Sequence, residues 1–253
     1  MNFIGKNLCI LVFLLTWELL SRLSIINPVF FPPVTVILQT LFQTLASGIM
    51  VTHLKVSLLR ALSGFVIATL LGVPLGLLLG TWFKKLNAYL DFPLEILSQL
   101  NPFILFHILI LFLGIGESPK ITIVAWTCLW PVTFSAINGA KSVSPLLLKA
   151  GRAFGLNRFG ILIKIVVPQA LPLIFAGIRL SLGYSLFMLI AAEMMGASSG
   201  LGFLTLVSQE NFQLNRMYAA VVMIACLGIV LDYLLVHGFS KIVKHPFYLD
   251  SLS

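Results

Sequence analysis

The run Val56-Ser-Leu-Leu-Arg-Ala-Leu-Ser-Gly-Phe-Val-Ile-Ala-Thr-Leu-Leu-Gly-Val-Pro-Leu-Gly-Leu-Leu-Leu-Gly80 decides the class of this fold. Lys55 bounds it on one side and Lys84-Lys85 on the other, with Arg60 its only charge. A helix rises about 1.5 Å per residue, so about 20 apolar residues cross the roughly 30 Å of a bilayer's hydrocarbon core. The run therefore predicts a membrane span from about Lys55 to Trp82. Gly72, Pro74, Gly76 and Gly80 would break a water-soluble helix. In a membrane helix they are tolerated, and they permit close packing or a kink.

Working outward, five more apolar runs read the same way. They lie near residues 7–26, 93–113, Ile121 to Ala140, Pro172 to Met195 and Met217 to Phe239, which makes six spans. Lys6 precedes the first run as in a signal peptide, but no A-x-A-like site follows and Glu18 and Arg22 interrupt, so a retained span is expected. Between the first two spans, Val34 to Ala46 carries Val36, Ile37, Leu41, Phe42 and Leu45 at helical spacing. It is too short to cross and is expected to lie along the interface.

Composition agrees. Of 253 residues, 59% are hydrophobic and 9% charged, against about 25% charged in soluble domains. The net charge of +8 sits in the breaks between apolar runs rather than on one basic face, which argues against nucleic acid. Cys9, Cys128 and Cys226 lie inside apolar runs without a C-x-x-C, so neither a disulfide framework nor a metal site is expected. With the N-terminus in the cytoplasm, Lys6, Lys84, Lys85, Lys141, Lys149, Arg152, Arg158, Lys164, Lys241 and Lys244 fall inside. Arg22, Lys55, Lys120 and Arg216 fall on or near the outer side. The positive-inside rule then places both termini in the cytoplasm. The expected organisation is residues 1–50 as a first span with an interfacial segment, 51–245 as a five-helix domain, and 246–253 as a tail.

The longest segment outside the spans is the inner loop, about 141–169. In Ser144-Pro-Leu-Leu-Leu-Lys-Ala-Gly-Arg-Ala-Phe-Gly155, Ser144 can cap a helix that starts at Pro145, and Gly155 suits the left-handed residue that ends it. Ala150, Gly151 and Phe154 are expected on one side of this short helix, where small residues let another surface approach. A second helical stretch, Arg158 to Val167, is expected to stop at Pro168.

This loop resembles the signature of permease subunits from binding-protein-dependent ABC importers, E-A-A-x3-G-x9-I-x-L-P. The corresponding residues are Lys149-Ala150-Gly151, Gly155 and Ile165-Val166-Val167-Pro168, at the full spacing. Lys149 stands for Glu, Gly151 for Ala and Val167 for Leu. The likeness extends along the chain. Trp17-Glu18-Leu19-Leu20, Leu71-Gly-Val-Pro-Leu-Gly76, Phe112-Leu-Gly-Ile-Gly-Glu117, Ala191-Ala-Glu-Met-Met-Gly-Ala-Ser-Ser-Gly-Leu-Gly202 and Leu227-Gly-Ile-Val-Leu-Asp232 look like the nitrate/sulfonate/taurine branch. One stretch departs: Ser98-Gln-Leu-Asn-Pro102 replaces a proline-rich segment, and His107 sits where a further proline is common.

The resemblance implies an all-α, six-span type I importer permease with a cytoplasmic coupling helix, in a bacterial or archaeal inner membrane. Lys149, Ala150, Gly151, Arg152, Phe154, Gly155 and Leu156 would dock on a cytoplasmic ATPase. A second permease copy would complete the pathway, and a solute-binding protein would dock outside. The chain lacks a G-x-x-x-x-G-K-[ST] phosphate loop, so ATP and Mg would be held by the partner. The solute implied is small and anionic, of the nitrate, sulfonate or taurine kind.

For the pathway or gate, the candidates are Asn101, His107, Glu193, Met194, Ser198 and Ser199. Each has a plainer alternative: Glu193 as a buried hydrogen-bond partner, His107 as a core residue, Gly196–Gly202 as an ordinary turn. Arg60 and Arg179 could attract an anion or pack within the bundle, and Asp232 suits helix–helix hydrogen bonding. Two other classes carry signatures of their own. An intramembrane enzyme needs paired acids, H-E-x-x-H or a Ser/His pair at membrane depth, and a secondary transporter often shows internal repeats and broken-helix pairs. None of these patterns is expected here.

Overall fold

The structure is a computed structural model and describes residues 3–242. It is all helical, with no strand among those residues. The helices are α1 (Phe3–Arg22), α2 (Val34–Ala46), α3 (Ile49–Thr81), α4 (Lys84–Ser98), α5 (Pro102–Leu113) and α6 (Glu117–Lys141). Then come α7 (Pro145–Ala153), α8 (Arg158–Ile161), a π turn (Leu162–Val166), α9 (Val167–Gly196), α10 (Leu201–Glu210) and α11 (Leu214–Ile242). The expected tail, 246–253, lies outside the described residues. Two compact units emerge among the described residues: 3–58 with 193–227, and 59–192 with 228–242.

In the second unit the glycines of α3 set the packing. A Cβ on Gly64 would lie 2.6 Å from Val124 Cγ1, and one on Gly80 the same distance from Ala140 Cβ. Between them, Gly72 abuts Val132 and Gly76 abuts Ala136. Every pair is offset by 60 residues, so α3 and α6 run parallel in close contact. Of the two possibilities the sequence left open, the glycines serve close approach, and α3 continues through Pro74.

Parallel helices require the chain to return between them. From Thr81 back to the level of Arg60 is 21 residues of helix, about 32 Å. The return is made by α4 and α5, bent by 84° to each other. This corrects the continuous third span expected over 93–113. Asn101 accepts a hydrogen bond from the Phe103 N–H (2.9 Å), and Pro102 follows as the first helical residue. That capped start makes α5 a new helix rather than a continuation.

The remaining neighbours alternate in direction. Gly139 meets Ala170, Ser135 meets Gly177, and the Ser181 hydroxyl donates to the Cys128 carbonyl (3.0 Å), so α6 and α9 are antiparallel. Phe175 stacks on Phe239 at 3.6 Å and Gly228 faces Leu186, so α9 and α11 are antiparallel too. Four helices are long and apolar enough to cross alone among the described residues, and the bent pair makes a fifth crossing. The first expected span, near residues 7–26, falls on α1, which is 20 residues long and is not among those helices.

The fifth span also differs from expectation at its start. Helix continues from Arg158 to Gly196, 39 residues, and does not stop at Pro168. The π turn just ahead shifts the hydrogen-bond ladder, and Pro168 is taken up at that shift as the second residue of α9.

In the first unit, α1 and α2 are tied through the turn between them. The Ser21 hydroxyl donates to the Phe31 carbonyl (2.6 Å), and Glu18 accepts from the Thr35 N–H (3.2 Å) and hydroxyl (2.8 Å) at the start of α2. Tyr218 of α11 donates to the Phe30 carbonyl (3.1 Å) and packs edge-on against Trp17.

Candidate functional site

The loop helix α7 is built as its local sequence dictates. Ser144 accepts from the Leu146 N–H (3.3 Å), Pro145 occupies the first position, and Gly155 closes the helix at φ +78°. Around the helix, three directions differ. Gly151 is buried, with its Cα so close to Ile165 that a Cβ would lie 2.5 Å from Cδ1. Leu148 and Arg152, one turn apart, line a cleft beside it. Leu146, Lys149 and Ala153 face outward, and Phe154 at the helix end is 87% exposed.

The expectation that Ala150, Gly151 and Phe154 share one open side therefore divides. Gly151 serves packing inside the chain, where a Cβ would require the Ile165 methyl to move aside. Ala150 is half-buried and Phe154 is open. Leu156 lines the cleft with Arg152.

A second cluster forms around Glu193, which is fully buried. Its carboxylate accepts from the Ser57 hydroxyl (2.9 and 2.8 Å to its two oxygens) and from the Gly202 N–H (2.9 Å). The Ser57 oxygen in turn accepts from the Leu201 N–H (2.8 Å), and His53 Nδ1 accepts from the Gly200 N–H (3.0 Å). Three consecutive amides at the start of α10 are thus held by α3 and α9 side chains. The carboxylate sits against the positive end of the α10 dipole, which offsets much of its burial cost. Gly200 has φ +121°, and any Cβ there would overlap the Glu193 carboxyl group, so the break at Ala197–Gly200 requires glycine.

The other pathway candidates are placed as follows. Asn101 caps α5, and exposed His107 donates from Nδ1 to the Phe103 carbonyl one turn back (2.9 Å). Met194 and Ser199 are half-buried and Ser198 is exposed. Asn101 and His107 belong to one compact unit, and Glu193, Met194, Ser198 and Ser199 to the other.

Two ion pairs bind helices within the second unit. Arg60, 4% exposed, makes a two-pronged pair with Glu117 at the start of α6, and Lys120 approaches the same carboxylate at 3.3 Å. Arg179 of α9 makes bidentate bonds of 2.7 and 2.9 Å to Asp232 of α11. Sequence singled out Arg60, Arg179 and Asp232 but did not pair them. No group of three or more His, Cys, Asp or Glu suited to a metal occurs among the described residues.

Residues 72–242 match the family model described as the binding-protein-dependent transport system inner membrane component. A relative from Bacillus subtilis named as an aliphatic sulfonates transport permease, SsuC, is 32% identical over 222 residues, covering 87% of this chain and 80% of that protein. The taurine transport system permease TauC of Escherichia coli is 30% identical over 226 residues, covering 87% and 82%. Among solved structures, the inward-facing methionine ABC transporter MetNI superposes with a TM-score of 0.59 at 21% identity, covering 84% of this chain and 97% of that one. The fold is therefore that of a type I ABC permease, and the class is a multi-pass transport subunit, not an enzyme. The chain belongs to the binding-protein-dependent ABC importer permeases, a family of inner-membrane proteins that act with ATPase and solute-binding partners.

Proposed function

We propose that this permease is coupled to its ATPase through α7, with Lys149, Ala150 and Phe154 in the contact and Gly151, Arg152, Gly155 and Leu156 forming the helix behind it. One observation carries this: α7 stands outside the spans, capped at both ends, with a large aromatic side chain and a cation directed away from the bundle. A solvent-exposed phenylalanine of that kind is the usual anchor of a protein interface. Both termini and α7 lie on the cytoplasmic side, in keeping with the distribution of Lys and Arg. Two copies form the pathway, and ATP-driven closure of the ATPase pair shifts the bundle between inward and outward access.

The solute is a small sulfonate-like or taurine-like anion, the kind named for the relatives. Glu193, Met194, Ser198 and Ser199, where α9 breaks before α10, shape the gate, and Asn101 and His107 at the α4–α5 bend face the solute route.

Co-purification tests the coupling. Truncating a central interface aromatic costs about 2 kcal/mol or more, so Phe154→Ala should lower ATPase retention by about thirtyfold. Lys149→Glu should also weaken it, while the thermal melting of the permease alone stays unchanged. Full retention by both variants, or solute uptake by the chain without any ATPase, would sink the proposal. Thermal shifts of the cognate binding protein against taurine, alkanesulfonates, nitrate and bicarbonate identify the solute.

A further inference from the structure

We propose that the cleft beside α7 is a binding site for one anionic phospholipid, its phosphate held between Arg152 and Arg158 and an acyl chain laid along Leu148, Leu162 and Val166. The cleft has a volume of about 800 Å³ and lies where the ends of α3 and α6, at Thr81, Trp82 and Ala140, meet α7 and the π turn. That size falls within the roughly 300–1,000 Å³ of small-molecule sites.

Its charge has one sign. Between residues 118 and 192 the chain carries Lys120, Lys141, Lys149, Arg152, Arg158, Lys164 and Arg179, and no Asp or Glu. Neither Arg152 nor Arg158 has an ion-pair partner among the described residues. Two guanidinium forks over an apolar floor match a phosphodiester attached to hydrocarbon, because each fork presents paired N–H donors to phosphate oxygens. Basic pockets at the ends of membrane helices bind acidic headgroups on the same grounds.

A lipid fits better than a carboxylate of a soluble partner. The lining includes Thr81, Trp82 and Ala140 at the ends of two spans, a level that an acyl chain of the bilayer reaches, whereas an acidic side chain would leave the half-buried Leu148 and Leu162 uncovered. Trp82, 45% exposed, marks the interfacial level at the cleft's edge. The outward face of α7, with Lys149 and Phe154, remains open for a protein.

Trp82 supplies the test. The full chain is reconstituted in vesicles containing brominated phosphatidylglycerol or brominated phosphatidylcholine, and its tryptophan fluorescence is compared with that of Trp82→Phe, so that the difference isolates Trp82 from Trp17, Trp126 and Trp130. Phosphatidylglycerol should quench the Trp82 signal at about tenfold lower mole fraction. The preference should vanish in Arg152→Gln/Arg158→Gln and survive in Arg152→Lys/Arg158→Lys, whose retained melting also guards against misfolding. Equal quenching by both lipids, or a preference that survives in the glutamine variant, overturns the proposal. So does a preference abolished by adding the ATPase, which would assign the cleft to that protein. The lipid comparison itself needs no ATPase, so its failure leaves the coupling proposal untouched.

Discussion

Breaking the Arg179–Asp232 pair should be costly from either side and cheap from both. Arg179 is the thirteenth residue of the 30-residue α9, about 18 Å from its start and 26 Å from its end, so the pair sits well inside the span. Both side chains are partly open on the isolated chain, 44% and 41%. At that depth in a span, water screens the pair less than it would a surface pair. Asp232→Leu leaves a guanidinium without its counter-ion, and a lone charge near a span's centre costs about 2.5–3.5 kcal/mol. Arg179→Met leaves a lone carboxylate at similar cost. Arg179→Met/Asp232→Leu removes both charges and should fall within about 1 kcal/mol of the parent. The coupling energy from the double-mutant cycle should therefore be about 3 kcal/mol or more, read by reversible unfolding of the reconstituted chain. A coupling below about 0.5 kcal/mol would refute the assignment of the pair as an intramembrane tie.

Two further outcomes follow from the packing. Gly76→Leu should force α3 away from Ala136 and the Thr133 carbonyl and cost about 3 kcal/mol or more, seen as a lower melting temperature in detergent, whereas Gly183→Ala, with open space around it, should change little. Gly200→Ala should disturb the start of α10 through both its left-handed φ and the Glu193 carboxylate, costing about 2–3 kcal/mol. Hydrogen exchange of the Leu201 and Gly202 amides, now protected by Ser57 and Glu193, would report it, and unchanged protection would contradict the described cluster.

What could be read from sequence was what depends on near neighbours. The ends of α7 follow from Ser144, Pro145 and Gly155, all within one short segment, and the long apolar runs of α3, α6 and α11 announce themselves by composition. The α4–α5 bend was missed although Asn101-Pro102 carries a cap signature, because apolarity on both sides suggested one continuous crossing. Pro168 reads as a stop in the sequence because the π turn before it leaves no mark in the pattern of side chains. Glu193 was singled out, but its partner Ser57 lies 136 residues away, and His53, Ser57 and helix α10 went unremarked. Small polar residues on an apolar helix declare a role only once a fold brings a carboxylate to them.

The four-residue rhythm of Gly72, Gly76 and Gly80 has a mechanical corollary. A seam that repeats every turn fixes how near two helices come, but it accepts a slide of one full turn almost as readily, since Gly72 would then meet Ala136 and Gly76 would meet Ala140. What makes one setting unique is the salt link at the far end: a four-residue slip would carry the Arg60 guanidinium about 6 Å from the Glu117 carboxylate. Glycines make the rail, and a single charge pair acts as its detent.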